Sequence, residues 1–289
     1  MHLFQVGVGS GGMVVLDLIA RDPSVRAVTL IDPDVYSAHN VHRHVFPPSG
    51  VGRLKVDLAA NWLRERRPDL SVAPIADSLT DHERHQEFLA AAAECDIGVC
   101  AVDNEPAKYA FDALMRDAGK PWTLGEVLSG GIGGWVHRFI PGGPCYGCVA
   151  SHLQRTVTEE PAGRAPDYSN PSSRIAETTV PASKASIEVI AGLHAMFTLE
   201  LRSELLRGQE QGIAEGECSR IAMPPFTSLL FTLQAVPGVF EEAFRSYRFK
   251  VPRSPNCLVC ADKPQPHRSD SGETLDVALD QALGRLAPQ

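Results

Sequence analysis

Short apolar runs that end on glycine or an acid alternate with longer stretches of helical spacing along the first half of this chain. "LFQVGVG" is apolar and closes on glycines. "GMVVLDLIARD" spaces its apolar residues as a half-buried helix does, and "AVTLIDPD" reads as a second buried strand. Strand, glycine turn, helix and strand in that order form a βαβ unit of a doubly wound sheet. The alternation continues with a helix in "LKVDLAANWLRERRP" stopped at Pro68, a strand in "LSVAPIAD" and a helix in "DHERHQEFLAAAAEC". A strand in "CDIGVCAVD" then closes on Asp103, and "EPAKYAFDALMRDAGK" predicts a helix with Pro106 tolerated in its first turn.

"PWTLGEVLSGGIGGWVHRFI" predicts strands broken by glycine, and at "PGGPCYGC" the character changes. From Ser151 to Val180 the chain is polar and turn-rich, the composition of a functional lid or a crossover. "ASKASIEVIAGLHAMFTLELRSELLRG" is the longest apolar helix candidate. "TSLLFTLQAVPG" and "FEEAFRSYRFKVP" predict strands, and "SGETLDVALDQALGRLAPQ" a short amphipathic helix. The expected fold is α/β, Rossmann-like and doubly wound, with a mostly parallel sheet and a C-terminal extension stapled by zinc. Its expected organisation is a nucleotide-binding half over 1–150 and a crossover loop or lid over 151–181. The remainder of the domain, with the second cysteine pair, covers 182–265, and a tail covers 266–289.

Composition narrows the class. A net charge of −8 argues against a nucleic-acid partner, because phosphate neutralisation needs clustered Lys and Arg. No uncharged apolar run approaches the roughly 18 to 20 residues of a membrane span, so no membrane association is expected. The start, "MHLFQVGVGSGG", lacks the basic and apolar regions of a signal peptide, which predicts a cytoplasmic protein with reduced thiols. Seven cysteines, an odd number, read poorly there as a disulfide framework.

Gly7, Gly9 and Gly12 make a complete G-x-G-x-x-G between a strand and a helix. They allow a tight turn and close backbone approach to a phosphate, and the helix N-terminus aims N–H groups at the anion. Asp32, about twenty residues on at the end of the next strand, is where a carboxylate meets ribose hydroxyls. Alone, these features fit NAD. The next segment does not: Asp34, Asn40 and Arg43 follow the second strand, and Lys55 heads the next helix. Cleavage of an α–β phosphoanhydride needs cations on the leaving pyrophosphate and a carboxylate for Mg²⁺, for which Asp103 is placed. His39, His42 and His44 surround Arg43 without a cysteine or acidic companion of metal spacing, and are expected as hydrogen-bonding groups rather than ligands.

Cys145-Tyr-Gly-Cys148 and Cys257-Leu-Val-Cys260 are two C-x-x-C knuckles. Four thiolates suit tetrahedral, structural Zn²⁺. A redox role is the weaker reading, since neither pair is expected to open a helix. Cys95 and Cys100 flank a buried strand and are expected to pack as small hydrophobes, while Cys218 lies in a polar stretch and is a candidate reactive thiol.

With these residues assembled, the chain resembles the ThiF/MoeB/E1 superfamily, whose members adenylate the C-terminus of ubiquitin-like proteins and sulfur carriers. The resemblance covers residues 3–262. Its most specific part is "DPDVYSAHNVHRHVF", similar to the family's D-x-D-x(5)-N-x-x-R, followed by "GRLK". It implies that Asp32 binds the ATP ribose, that Asn40, Arg43 and Lys55 hold phosphates, and that Asp103 supports Mg²⁺. It also implies a dimer, homomeric or heteromeric, and a carrier tail ending in Gly threaded under the crossover loop. Two departures stand out. No cysteine lies between Cys148 and Cys218, which disfavours a thioester relay. The sequence also opens on the first strand, where relatives often carry an arginine-bearing helix, so the expectation is that His42, His44 or another basic residue substitutes, that the partner supplies the cation, or that activity is weak.

The expected activity is therefore ATP-dependent adenylation of the C-terminal carboxylate of a ubiquitin-like or sulfur-carrier protein, with Arg43, Lys55 and Asp103 carrying the chemistry. The alternatives are adenylation of a peptide or RNA-linked carboxylate, a non-catalytic recruiting subunit, and an NAD-dependent dehydrogenase. The last leaves the phosphate-facing cations unexplained.

Overall fold

A computed structural model describes residues 1–153, 181–210 and 226–261. The predicted alternation is present. Strand β1 (His2–Val6) leads into helix α1 (Ser10–Ala20), followed by β2 (Ala27–Ile31), α2 (Lys55–Arg66), β3 (Ser71–Ile75) and α3 (His85–Ala93). Then come β4 (Ile97–Cys100), α4 (Glu105–Asp117), β5 (Trp122–Val127), β6 (Gly133–Phe139) and α5 (Tyr146–His152). The long helix α6 (Lys184–Glu210) precedes β7 (Ser228–Thr232) and β8 (Ser246–Phe249).

The strands form one sheet in the order β3-β2-β1-β4-β5-β6-β7-β8. Pairings from β3 to β5 are parallel, and those from β5 to β8 are antiparallel. The change of direction comes at the β5–β6 hairpin. Gly130 at φ 72 and Gly131 at φ 66 turn that chain through the left-handed region, which the run "SGGIGG" makes accessible.

Successive residues of a doubly wound sheet serve opposite faces, and the core follows this rule. Leu3, Leu30, Ile97 and Val99 join a cluster with Met13 and Leu16 of α1, Leu63 of α2, and Ala191 and Ala195 of α6. Phe4, Ile31, Cys100 and Leu124 join the opposite cluster with Phe88 of α3, and with Phe111, Leu114 and Met115 of α4. Both faces of β1, β2 and β4 are thus buried, which is why these strands read as nearly continuous apolar runs, while the edge strand β3 is only partly covered.

Two expectations change. The predicted strand "FEEAFRSYRFKVP" shortens to β8, because Thr232 ties the preceding segment into a turn. Its Oγ1 accepts the Arg245 N–H at 3.0 Å and donates to the Glu242 carbonyl at 2.8 Å, and Phe244 adopts φ 55. Cys145 also caps α5, so the first knuckle does open a helix, contrary to expectation. Most of the expected crossover loop, the tail and its amphipathic helix lie outside the described residues. No helix among the described residues is long and apolar enough to cross a membrane.

Candidate functional site

The chain leaves β1 in one direction for β2 and later returns to its other side as β4, so a crevice opens at the carboxyl ends of these strands. A cleft of about 1070 Å³ occupies that place, and every nucleotide-site candidate from Gly7 to Asp103 lines it. Two glycines of the turn are fixed by backbone packing. A Cβ on Gly7, which sits at φ +88, would lie 2.4 Å from the Ala101 carbonyl oxygen, and one on Gly12 would lie 2.3 Å from that of Gly7. Gly9 has no protein atom in the way of a side chain and borders the cleft itself. It is also the N-cap of α1, whose first turn carries no side-chain cap and no acid, leaving N–H groups for an anion.

Asp32 is buried at the end of β2. Its Oδ2 accepts the Val8 N–H at 2.8 Å and its Oδ1 the Asp34 N–H at 2.9 Å. Burial raises its carboxyl above the usual range, against the pull of Lys55 and these two hydrogen bonds. Asp34 is exposed, and its Oδ2 lies 2.6 Å from Lys55 Nζ. Lys55 begins α2 and is nearly buried. Asn40 is buried in a 3-10 turn, where its Oδ1 accepts the Ser37 N–H, and Arg43 follows on the same wall. Asp103, which also lines the cleft, is exposed just after β4, and Asn104 caps α4 by accepting the Ala107 N–H at 2.9 Å. The segment from Asp32 to Lys55, quoted above for its pattern, is therefore one wall of one cleft.

His44 corrects an expectation. It is buried against Phe46 and Tyr36, with ring centroids 4.3 and 5.2 Å away. Burial lowers its pKa to about 4, so the ring is neutral at pH 7 and cannot replace an arginine. His42 is exposed and does not line the cleft.

A second polar cluster at the far end of the cleft escaped the sequence reading. Lys108 Nζ lies 2.7 Å from Glu105 and 2.6 Å from Glu126. Tyr146 donates its hydroxyl to the other oxygen of Glu105 at 2.7 Å, and His137 contacts the other oxygen of Glu126 at 3.2 Å. The pair Glu105 and Lys108 was visible as an i,i+3 spacing on one helix. Nothing local announces Glu126, which arrives from the next strand.

The four knuckle cysteines converge, with all four sulfurs within 4.8 Å of one another. Cys145 to Cys148 measures 3.7 Å, and Cys145 to Cys257 and Cys148 to Cys260 each 3.5 Å. These separations are far too long for disulfides, and approach the edge of about 3.8 Å that four sulfurs at 2.3 Å from a tetrahedral metal define. Backbone N–H groups of Ser254 and Val259 point at the sulfurs of Cys148 and Cys257, as outer-shell donors do. The donor set fits a structural metal. Burial raises the Cys145 thiol above its ordinary range, whereas for Cys257 backbone hydrogen bonds from Cys260 and Val259 outweigh burial and lower the thiol to about 7. Cys95 and Cys100 are buried as expected, and burial pushes both thiols up to about 12. Cys218 lies outside the described residues.

Comparison with known proteins gives a consistent setting. The profile of the ThiF family matches residues 1–222. The SAMP-activating enzyme E1 of Haloferax volcanii is 30% identical over 145 residues, 50% of this chain and 51% of that protein. Ubiquitin-like modifier-activating enzyme 5 of Rattus norvegicus is 26% identical over 170 residues, 54% of this chain and 42% of that protein. The match thus spans about half the length of these curated relatives or less. Among solved structures, E. coli MccB with MccA-N7isoASN aligns over 90% of this chain and 67% of that one, at 19% identity and a TM-score of 0.61.

Proposed function

The chain belongs to the ThiF family, and from that premise we propose that it uses ATP to adenylate the C-terminal carboxylate of a ubiquitin-like or sulfur-carrier protein. The observation that carries this reading is that Arg43, the Lys55–Asp34 pair, Asp103 and the uncapped start of α1 line one cleft. A hydride carrier would leave those cations without a task.

In this reading the glycine turn and the α1 N-terminus receive phosphates, and Asp32 accepts a ribose hydroxyl with lone pairs its two N–H donors leave over. Asn40, Arg43 and Lys55 hold the polyphosphate. Mg²⁺, when bound with the nucleotide at Asp103, offsets charge on the leaving group. An oxygen of the substrate carboxylate attacks the α-phosphorus. The bond to the bridging oxygen breaks, and pyrophosphate departs with that electron pair, leaving an acyl-adenylate. The protein forms no bond itself; it positions the groups and stabilises charge.

Zinc held by Cys145, Cys148, Cys257 and Cys260 would staple the segment after β6 to the segment after β8, a structural role that leaves no ligand position open. A peptide carboxylate is the second reading of the substrate. The dimer rests on family resemblance.

The test is ATP–pyrophosphate exchange across a panel of small ubiquitin-like and sulfur-carrier proteins ending in Gly-Gly, with peptides alongside and Asp103→Asn as control. Exchange that depends on one carrier and is lost in the variant supports the reading. Absence of exchange with every carrier and every peptide, despite measured binding of Mg-ATP, overturns it.

A further inference from the structure

A phosphate-binding turn has to show its N–H groups to the anion and keep its carbonyl oxygens away, because the two repel. Backbone geometry alone does not secure this in a glycine-rich segment, where many conformations are open. In this chain the carbonyls are held by donors. The Gly9 carbonyl accepts the Met13 N–H at 2.9 Å, as the first bond of α1. The Gly7 carbonyl accepts Nε2 of Gln5 at 3.0 Å, and the same nitrogen donates to the Gly12 carbonyl at 2.8 Å. The Val8 carbonyl is paired with Nε2 of His44 at 3.1 Å.

Both side chains are committed to that task by their surroundings. Gln5 is fully buried in β1, and its Oε1 has no hydrogen-bond partner among the described residues. Turning the amide over would set that oxygen against two carbonyls, so the turn decides the orientation and leaves the oxygen orphaned. A buried orphan of this kind calls for an explanation, and the two carbonyls supply it. For His44 the carbonyl can only accept, so Nε2 carries the proton and Nδ1 accepts the Val45 N–H at 3.0 Å. Stacking on Phe46 and the edge of Tyr36 fixes the ring plane.

We propose that Gln5 and His44 are positioning residues for the nucleotide, which hold the Gly7 and Val8 carbonyls back so that the turn meets phosphate with N–H groups. The proposal rests on the adenylation reading for the identity of the anion. It explains why His44 sits beside Arg43 without being a cation. It also ties the phosphate wall after β2 to the turn after β1, since Asp32 already holds the N–H of the same Val8. Val8 is thereby fixed at both ends of its peptide units by residues of the facing wall.

The experiment compares the wild-type full chain with Gln5→Leu, His44→Leu and His44→Gln by three readouts. These are Mg-ATP affinity by direct titration, hydrogen exchange of the peptide covering residues 7–13 without nucleotide, and melting temperature. Each Leu variant is expected to weaken Mg-ATP about tenfold and to speed exchange in that peptide. His44→Gln, whose amide can still donate, stays within about threefold of wild type. Unchanged affinity and exchange in the Leu variants overturn the proposal. So does a His44→Gln as impaired as His44→Leu, since ring packing rather than the donated hydrogen bond would then be the cause. Should Gln5→Leu fail to fold, the two His44 variants decide alone. A wild type that binds no nucleotide, with exchange still faster in His44→Leu, overturns the adenylation reading and the identity of the anion while leaving the clamp in place.

Discussion

Asp34 and Lys55 meet at 2.6 Å at the edge of the cleft, and they are unequal partners. The Lys55 side chain is 11% exposed, whereas that of Asp34 is 60% exposed. The carboxylate is free to swing away into water, while the ammonium is fixed by the start of α2. In the proposed function, Asp34 holds the lysine in place until a phosphate takes over the contact. Lys55→Met is expected to lower carrier-dependent exchange about 100-fold, the scale of one lost charge-stabilising donor. Asp34→Asn is expected to cost less than about tenfold and to leave melting nearly unchanged, because a pair with one solvated partner contributes about 1 kcal/mol or less. Exchange rates and melting curves of the two variants check both statements.

Lys108 is a different kind of cation. It is buried between Glu105 and Glu126, so its removal strands carboxylates in the interior. Lys108→Met is expected to destabilise the protein by about 3–5 kcal/mol. Adding Glu126→Gln to it should recover part of that loss, since one stranded charge disappears. Urea unfolding of the single and double variants measures the coupling.

Two buried histidines set the acid limit of stability. Burial lowers His44 from 6.5 to about 4 and His194 from 6.5 to about 3. Below pH 6.5 the unfolded chain binds protons that the folded chain refuses. Stability therefore falls as pH drops from 6.5 toward 4, by up to about 1.4 kcal/mol per pH unit for each ring. Melting temperature followed from pH 8 to 4 should be flat above pH 7 and decline below 6.5. His44→Gln should reduce the slope.

The cysteine cluster joins two segments far apart in the chain, the start of α5 and the turn after β8. One zinc per chain is expected by elemental analysis. Removal by a strong chelator should lower the melting temperature, and Cys260→Ser should reproduce that loss with a substoichiometric metal content.

How much of this was legible beforehand divides along a physical line. Helices α1 to α4 and α6, the alternation of the parallel half and the glycine turn rest on local signals: apolar periodicity, a proline at α4, glycines between β1 and α1. The strand order and α5 were not legible, since the first is fixed by which strands pair and the second by the turn that Cys145 caps. The candidates from Asp32 to Lys55 were legible for a related reason, because they follow one strand closely and the end of a strand fixes where they go. The extent of β8 was not legible, since the Thr232 hydroxyl that curls the chain before it belongs to the preceding strand. Nor was the neutrality of His44, which depends on Tyr36 and Phe46 closing over it.

The sequence by itself determined the alternating architecture, the phosphate-type turn, the acids and cations beside it, and the pairing of two cysteine knuckles as one donor set. Only the tertiary structure decided that Glu126 meets Lys108, that Gln5 reaches two carbonyls at once, and that His44 meets the Val8 carbonyl as a neutral ring. Periodicity and short motifs act through neighbours along the chain, so they can be read from it. Protonation states and long-range polar partners are set by which elements pack together and how completely they exclude water, and that is fixed only when the sheet and its helices close around them.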